Sequence, residues 1–410
     1  MLIVPSSYGA LSATSANTIK GNAPTFMGQS GANKLGFKVG NTLYSESVGN
    51  IVGSSEKIFD RTLKLDEFVA QALTVNDFTV ASDYYDADGD PAHPTDAFTM
   101  GSVRSEWFDA NNVKITDTSK TVGCSGFTLP LTMKITLTNV QVQSKYGDPR
   151  LSQRENLVKS YKIATNSGIC FAKPGSLYWK EWNYNGSYRD PVRGGGYTAD
   201  FVPNNGFRAV PKVSSSTFPT TGFVGANFKL VMSGSSSSYD FSSNSSAVSV
   251  NSDGKVVFNS KPNGYVTIKV KLKNSNPAVV YEYKFNPTSI WLTPNWNSAH
   301  TYGYYTYTEA KNLCGGESRL PSRAQLTNSP QNSFPFGMVG IPSSAYTRAI
   351  GEGVFSEWGE VDQYSYPTWW GGSYLTREAY SSYGQFDVSS RSGVVGWIRF
   401  EDGNLVACLS

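Results

Sequence analysis

The run Leu129-Pro-Leu-Thr-Met-Lys-Ile-Thr-Leu places Leu129, Leu131, Met133, Ile135 and Leu137 at every second position. Successive side chains of a strand point to opposite faces, so this spacing turns all five toward one core. The same period recurs at Val266, Ile268, Val270 and Leu272, and again at Tyr281, Tyr283 and Phe285. A chain written this way folds as packed sheets. Composition agrees. With 16% charged residues, 13% aromatics and abundant Gly, Ser, Thr and Asn, it is poor in helix formers and rich in strand and turn formers.

Residues 1 to 55 read as a flexible lead followed by short strands. Phe78, Val80 and Tyr84 then belong to an extended segment, and Trp107 to Ile115 to a hairpin turned at Asp109 to Asn112. Arg154 to Lys159 reads as one helical turn. The stretch from Tyr178 to Gly206 is either a long loop packed by its own aromatics or a contact surface. A Ser-, Thr- and Pro-rich stretch from Ser214 to Gly222 marks a boundary. Beyond it, Tyr239 and Phe241 alternate inside a serine-rich segment, and Asn251-Ser-Asp-Gly-Lys is a hairpin turn. Closely spaced strands with turn signals between them predict a small β-sandwich over 223–288. Residues 1–222 are then one β-rich region, or two split near 120.

Residues 289–410 read as an α+β terminal head. Thr306 with Glu309, and Ser322 with Gln325, each fit a capping box that starts a helix. Ala310, Leu313 and Cys314 share a helical face, Gly315-Gly316 stops the helix, and a final hairpin runs through Asp402-Gly-Asn. The four cysteines, Cys124, Cys170, Cys314 and Cys408, include no Cys-x-x-Cys pair, and there are only two histidines. That argues against a structural zinc site. Three disulfide pairings are open, with four free thiols as the alternative. Sequence proximity favours Cys124–Cys170 and Cys314–Cys408, which would imply an oxidising compartment.

A net charge of +3, with basic residues spread along the chain, lacks the clustered stripe of a nucleic-acid or anionic-membrane binder. No apolar run reaches the roughly 18 residues of a membrane-spanning helix. The start lacks the basic region and apolar core of a secretion signal. Composition and cysteines therefore favour an excerpt of a longer, exported protein. Neither histidine sits in a triad setting, no phosphate-binding loop occurs, and the pair Glu352 and Glu357 has no distinguishing spacing, so no enzyme and no cofactor are expected. Asp86, Asp88 and Asp90 have the spacing of a calcium loop's first half, with Asp83 and Asp96 as further ligands. The twelfth position, where an EF-hand needs Glu, is Ala97, and a solvated Asp-rich turn is the alternative. For contact with a partner, the aromatic stretch Tyr364, Tyr366, Trp369, Trp370 and Tyr374 is the expected site. Adjacent Trp369 and Trp370 point opposite ways on an extended backbone, one inward and one outward, with both in the core as the alternative; Trp358 and Trp397 read as core.

Three places carry a family resemblance. They are Tyr84-Tyr-Asp-Ala-Asp-Gly-Asp with Trp107-Phe-Asp-Ala-Asn; Asn205-Gly-Phe and Phe218-Pro-Thr-Thr-Gly-Phe-Val-Gly-Ala-Asn-Phe-Lys-Leu with Gly168-Ile-Cys-Phe-Ala-Lys-Pro; and Cys314, Ser318-Arg-Leu-Pro-Ser-Arg-Ala-Gln-Leu and Cys408. Here the chain resembles the surface-exposed C-terminal part of invasin/intimin-type bacterial adhesins, the inverse autotransporters. The resemblance implies a mainly β fold of tandem Ig-like β-sandwich modules followed by an α+β C-type lectin-like domain. It implies an outer-membrane β-barrel and further modules N-terminal to this fragment, display on the bacterial surface, and a host-cell surface protein receptor or glycan as partner. The Glu-Pro-Asn and Gln-Pro-Asp motifs of calcium-dependent lectins are missing from the head, which turns the expectation toward protein. A glycan-binding or phage tail-fibre-like protein is the alternative reading.

Overall fold

A computed structural model describes residues 20–179, 194–295, 304–330, 345–364 and 369–410. The fold is mainly β and divides into two compact units, Met1–Val122 with Thr128–Thr165, and Gly123–Phe127 with Asn166–Ser410.

In the first unit the alternating run becomes the strand Leu131–Val142, and Leu131, Met133, Ile135 and Leu137 are fully buried. It pairs antiparallel with Glu155–Thr165 on one side and with Val103–Phe108 on the other. The register slips between Leu137 and Val140, where Asn139 takes a φ of 55°, the local kink of a bulge. Lys114–Ile115 closes one edge through the turn expected at Asp109 to Asn112. The helical turn expected at Arg154 to Lys159 is instead the start of the strand Glu155–Thr165. Leu157, Tyr161 and Ile163 bury themselves by pairing with the central strand, and that contact outweighs local propensity.

The opposite error occurs at Phe78 to Tyr84, which contains the helical turn Val80–Asp83. The Asp83 carboxylate accepts from Thr79 N at 2.8 Å, Ser82 Oγ at 2.8 Å and Lys34 Nζ at 2.6 Å, side-chain bonds that close the turn locally. A facing sheet of Thr42–Tyr44, Phe37–Val39 and Phe68–Ala70 covers the core. Phe37 lies 5.5 Å from Tyr161 and 6.0 Å from Phe59, and Phe68 lies 5.4 Å from Trp107.

The second unit begins before the boundary expected near 222. Ile169–Pro174 pairs with Asn227–Met232 in a six-stranded sheet that also holds Phe201–Val202, Gly206–Arg208, Lys255–Phe258 and Val248–Val250. The sandwich expected over 223–288 thus takes strands from residues before 222. Opposite lies the sheet Tyr239–Ser243, Val266–Leu272 and Val280–Phe285, with Phe228 against Phe285 at 5.5 Å between the layers. The turn at Asn251 and the strand inside the serine-rich segment both form.

The terminal region lies in one compact unit with the sandwich. Ile290–Asn295 lies between Thr221–Phe223, to which it is parallel, and Val406–Leu409, to which it is antiparallel. Trp358 and Trp369 share one core with Phe218, Phe223, Phe228 and Phe258 of the sandwich. The chain turns at Asp402, but Val406–Leu409 pairs with Ile290–Asn295 and not with Val395–Arg399, so the expected final hairpin does not form. Both capping boxes form, opening the helices Tyr307–Cys314 and Arg323–Leu326, and Gly315 ends the first at a φ of 77°. Ala310 and Cys314 face inward; Leu313 is exposed.

Both disulfides expected from proximity are present. Cys124–Cys170 has a Cα separation of 5.7 Å and Cys314–Cys408 one of 5.3 Å. Among the described residues no helix is long and apolar enough to cross a membrane.

Candidate functional site

The terminal region is held to the sandwich by two buried ionisable side chains. The Glu357 carboxylate accepts from Thr220 N at 3.0 Å and Oγ1 at 2.8 Å, from Thr221 N at 2.9 Å and Oγ1 at 2.6 Å, and from Gly351 N at 2.8 Å. Burial pushes its pKa up, and these hydrogen bonds oppose that shift. Arg348 is equally buried. It donates to the carbonyls of Ser356, Ser176, Tyr178 and Glu357 at 2.7 to 3.1 Å and lies over the Phe201 ring at 4.6 Å. Both groups are solvated by the fold itself, which aims fixed dipoles at each. Nothing in the local sequence marked Arg348. Glu357 entered the sequence reading only as half of a carboxylate pair, and its oxygens are fully engaged here.

The expected contact residues divide. Trp369 is fully buried, with its ring 4.8 Å from Phe223. Tyr374 is buried too, its hydroxyl accepting from Trp370 N at 3.2 Å and donating to Trp370 O at 3.1 Å. Tyr364 packs edge-on to Phe223 and Trp358, accepts from Ser176 N and donates to Trp358 O at 2.6 Å. Trp369 and Tyr374 are core and Tyr364, half-buried, packs against that core, because the apolar face they complete belongs to the sandwich. Trp370 is half-buried, and Tyr366 lies outside the described residues.

The aspartates do not converge on a cation. Asp86 Oδ1 accepts from Asp88 N at 2.9 Å and Asp90 N at 3.3 Å, while the Asp88 carboxylate takes Asn22 N and Nδ2. Asp83 is held by Lys34, and Asp96 by Thr95. Among the described residues no group of three or more His, Cys, Asp or Glu is placed to hold a metal. The loop is an Asp-rich turn whose carboxylates accept local N–H groups.

An aromatic group that reaches the surface lies on the sheet Ser373–Ser381, Gly384–Ser389 and Val395–Arg399. Trp397, expected in the core, is half-buried and packs against the core's edge. Its ring stacks on Tyr380 at 4.5 Å and 17°, and Tyr383 meets it edge-on at 6.0 Å. Tyr383 is 54% exposed. Such a platform gives a partner rigid, amphipathic area at low entropic cost. The signal was legible in Tyr380-Ser-Ser-Tyr-Gly, a hairpin turn with an aromatic on each shoulder.

Behind the platform, Asp387 is buried and accepts from Asn404 Nδ2 at 3.1 Å. Burial pushes its pKa up to about 6, against hydrogen bonds from Ser373, Asn404 and Gly396. The folded state therefore holds a proton between pH 4 and 6 that the unfolded chain releases, so stability rises as pH falls through that window. In the first unit the direction is opposite. Burial alone would raise Asp83, but the bonds from Lys34, Thr79 and Ser82 hold it below its usual range, and its contribution is lost only on further acidification. Hydrogen exchange, corrected for intrinsic rates, should show Gly384–Ser389 gaining about 1–3 kcal/mol of protection from pH 7 to pH 4.5. Leu131–Val142 should gain none, and Asp387→Asn should remove the share of the gain due to Asp387, leaving that of Glu357, whose pKa is also raised by burial.

The fold thus defines a class: a mainly β chain whose sandwich is fused to a disulfide-closed α+β terminal region. Comparison with known proteins specifies it further. The family model described as Invasin, domain 4, matches residues 201–285, which include Asn205-Gly-Phe and Phe218 to Leu230. Inverse autotransporter adhesin YeeJ of Escherichia coli (strain K12) is 27% identical over 214 residues, 45% of this chain and 8% of that protein. Among solved structures, invasin, titled a bacterial integrin-binding protein, aligns with a TM-score of 0.40 at 18% identity, over 76% of this chain and 50% of that one. The C-terminal 282-residue fragment of intimin, in complex with the intimin-binding domain of its translocated receptor, aligns with a TM-score of 0.35 at 14% identity, over 76% and 100%. Those superpositions are too loose to carry an argument. The sequence matches show the chain to be similar to invasin/intimin-type inverse autotransporter adhesins, of which it spans a small part.

Proposed function

We propose that this chain is the displayed, non-enzymatic part of a bacterial surface adhesin, and that it binds a host-cell surface protein through its C-type lectin-like terminal region. The observation that carries the reading is the invasin domain 4 match, because residues 201–285 lie in the same compact unit as that region. The full-length protein would be anchored by an outer-membrane β-barrel, with the modules before 166 as spacer. The mechanism is rigid presentation. A platform that does not rearrange loses little entropy on docking, and clustered copies raise avidity without new contacts.

The test uses the intact chain on cultured host cells. Combined Trp397→Ala and Tyr383→Ala replacement should weaken binding about thirtyfold, the size of a hot-spot loss, and Tyr383→Ala alone, at the exposed ring, should weaken it in part with the melting temperature nearly unchanged. Undiminished binding by the combined variant would remove the platform from the interface. Failure of the intact chain to bind any host cell would overturn the adhesin reading itself.

A further inference from the structure

On the outward face of the six-stranded sheet three lysines stand side by side. Lys229 is the register partner of Lys173 on one neighbouring strand and of Lys255 on the other. Directly opposed side chains are close enough for like charges to destabilise the pair. The facing sheet of the same sandwich treats its lysines differently. Lys269 is paired with Glu282 at 4.0 Å, and Lys273 lies 3.6 Å from Asp240. Neither Lys229 nor Lys255 has an ion pair among the described residues.

The row borders a cleft of about 370 Å³, with Asn227, Asn251 and Asp253 also along it. Three lysines against one aspartate leave its lining formally +2. Asn227 Nδ2 donates to Gly225 O at 3.0 Å, and its side-chain Oδ1 has no donor among the described residues. Asn251 is used the other way: its side-chain Oδ1 accepts from Asp253 N at 3.0 Å and Lys255 N at 2.9 Å, and its Nδ2 has no acceptor among the described residues. The cleft therefore offers a line of ammonium groups flanked by one hydrogen-bond acceptor and one donor.

We infer that this cleft is a second binding site, for an acidic polysaccharide carrying sulfate or carboxylate groups. Neighbouring strands are about 4.8 Å apart, so the three amines form a line roughly 10 Å long. A linear polymer with repeated anions can pair with Lys229 and Lys255 and run on along the row past Lys173, which has an interaction of its own. Lysines are flexible point charges and tolerate the variable geometry of such a chain. Sugar hydroxyls use both the amide donor and the carbonyl acceptor. Among the described lining residues no aromatic or branched aliphatic side chain is present to seat an apolar residue of a peptide, which disfavours an acidic protein segment. The inference does not depend on the aromatic platform, and the two are separable by variant.

The intact chain is titrated calorimetrically with a heparan sulfate hexasaccharide, a hyaluronan hexasaccharide and a poly-glutamate peptide. Binding of either saccharide supports the site, and the comparison shows whether sulfate or carboxylate is preferred. Lys229→Gln with Lys255→Gln should weaken binding at least about tenfold, and raising NaCl from about 50 to about 300 mM should weaken the wild type further. Lys271→Gln, on the facing sheet, should leave the affinity unchanged. The double variant should melt no lower than wild type, since it relieves repulsion, so a lost affinity cannot be assigned to unfolding. Absence of saccharide binding, equal affinity in the double variant, or tighter binding of poly-glutamate would each overturn the proposal.

Discussion

Replacing Glu357 with alanine is expected to destabilise the second unit by about 3–5 kcal/mol. The carboxylate is fully buried, and its removal strands the N–H and hydroxyl donors of Thr220 and Thr221 together with Gly351 N. Each buried donor left without an acceptor costs about 1–3 kcal/mol, partly recovered where a hydroxyl can turn or water can enter. For a unit of this size the melting temperature should fall by roughly 10 °C. Glu357→Gln should fall less, because one oxygen still accepts. A loss below about 1 kcal/mol for the alanine variant would mean that the carboxylate is not the sealed junction described. The same reasoning applies to a truncated head. Residues 289–410 expressed alone would lack Thr220, Thr221 and Phe223, and would expose Trp358 and Trp369, so they should not fold independently.

The second large effect is expected at Cys314–Cys408. The bridge joins residues 94 apart, and the chain-entropy model gives about 4.7 kcal/mol for a loop of that length. Cys314→Ala with Cys408→Ala should therefore unfold the terminal region well below the melting point of the oxidised protein, and added reductant should reproduce the effect in the wild type. Cys124–Cys170, 46 residues apart, should contribute about 4.0 kcal/mol by the same model. Mass measurement before and after reduction checks the state of both bridges, and four free thiols would sink the prediction. The two replacements act differently. Loss of the bridge raises the entropy of the unfolded chain, whereas loss of Glu357 leaves polar groups unsatisfied in the folded one.

Local chemistry was readable where a side chain acts on its own neighbourhood. Thr306 with Glu309, Ser322 with Gln325, and the Asn251 turn all form because donor and acceptor are three or four residues apart. The alternation at Leu131 to Leu137 likewise announced a buried strand face. Aromatic content did not announce direction. Trp369 and Tyr374 were as plausible at a surface as Tyr383, since each ring's burial depends on what lies across from it, and for Trp369 that is Phe223, about 150 residues earlier.

The sequence by itself determined the strand-rich class, the two capping-box helix starts, the hairpin turns at Asp109 and Asn251 and the favoured cysteine pairing, all of which follow from interactions between near neighbours or from composition. Only the tertiary structure decided that the terminal region packs in one compact unit with the sandwich and that Arg348 and Glu357 are the buried groups joining them. The row Lys173, Lys229 and Lys255 belongs with these. Its members are scattered among 35 basic residues and become one site only when strand register sets them side by side. Such features depend on contacts between residues far apart in the chain, and no window of sequence contains both partners.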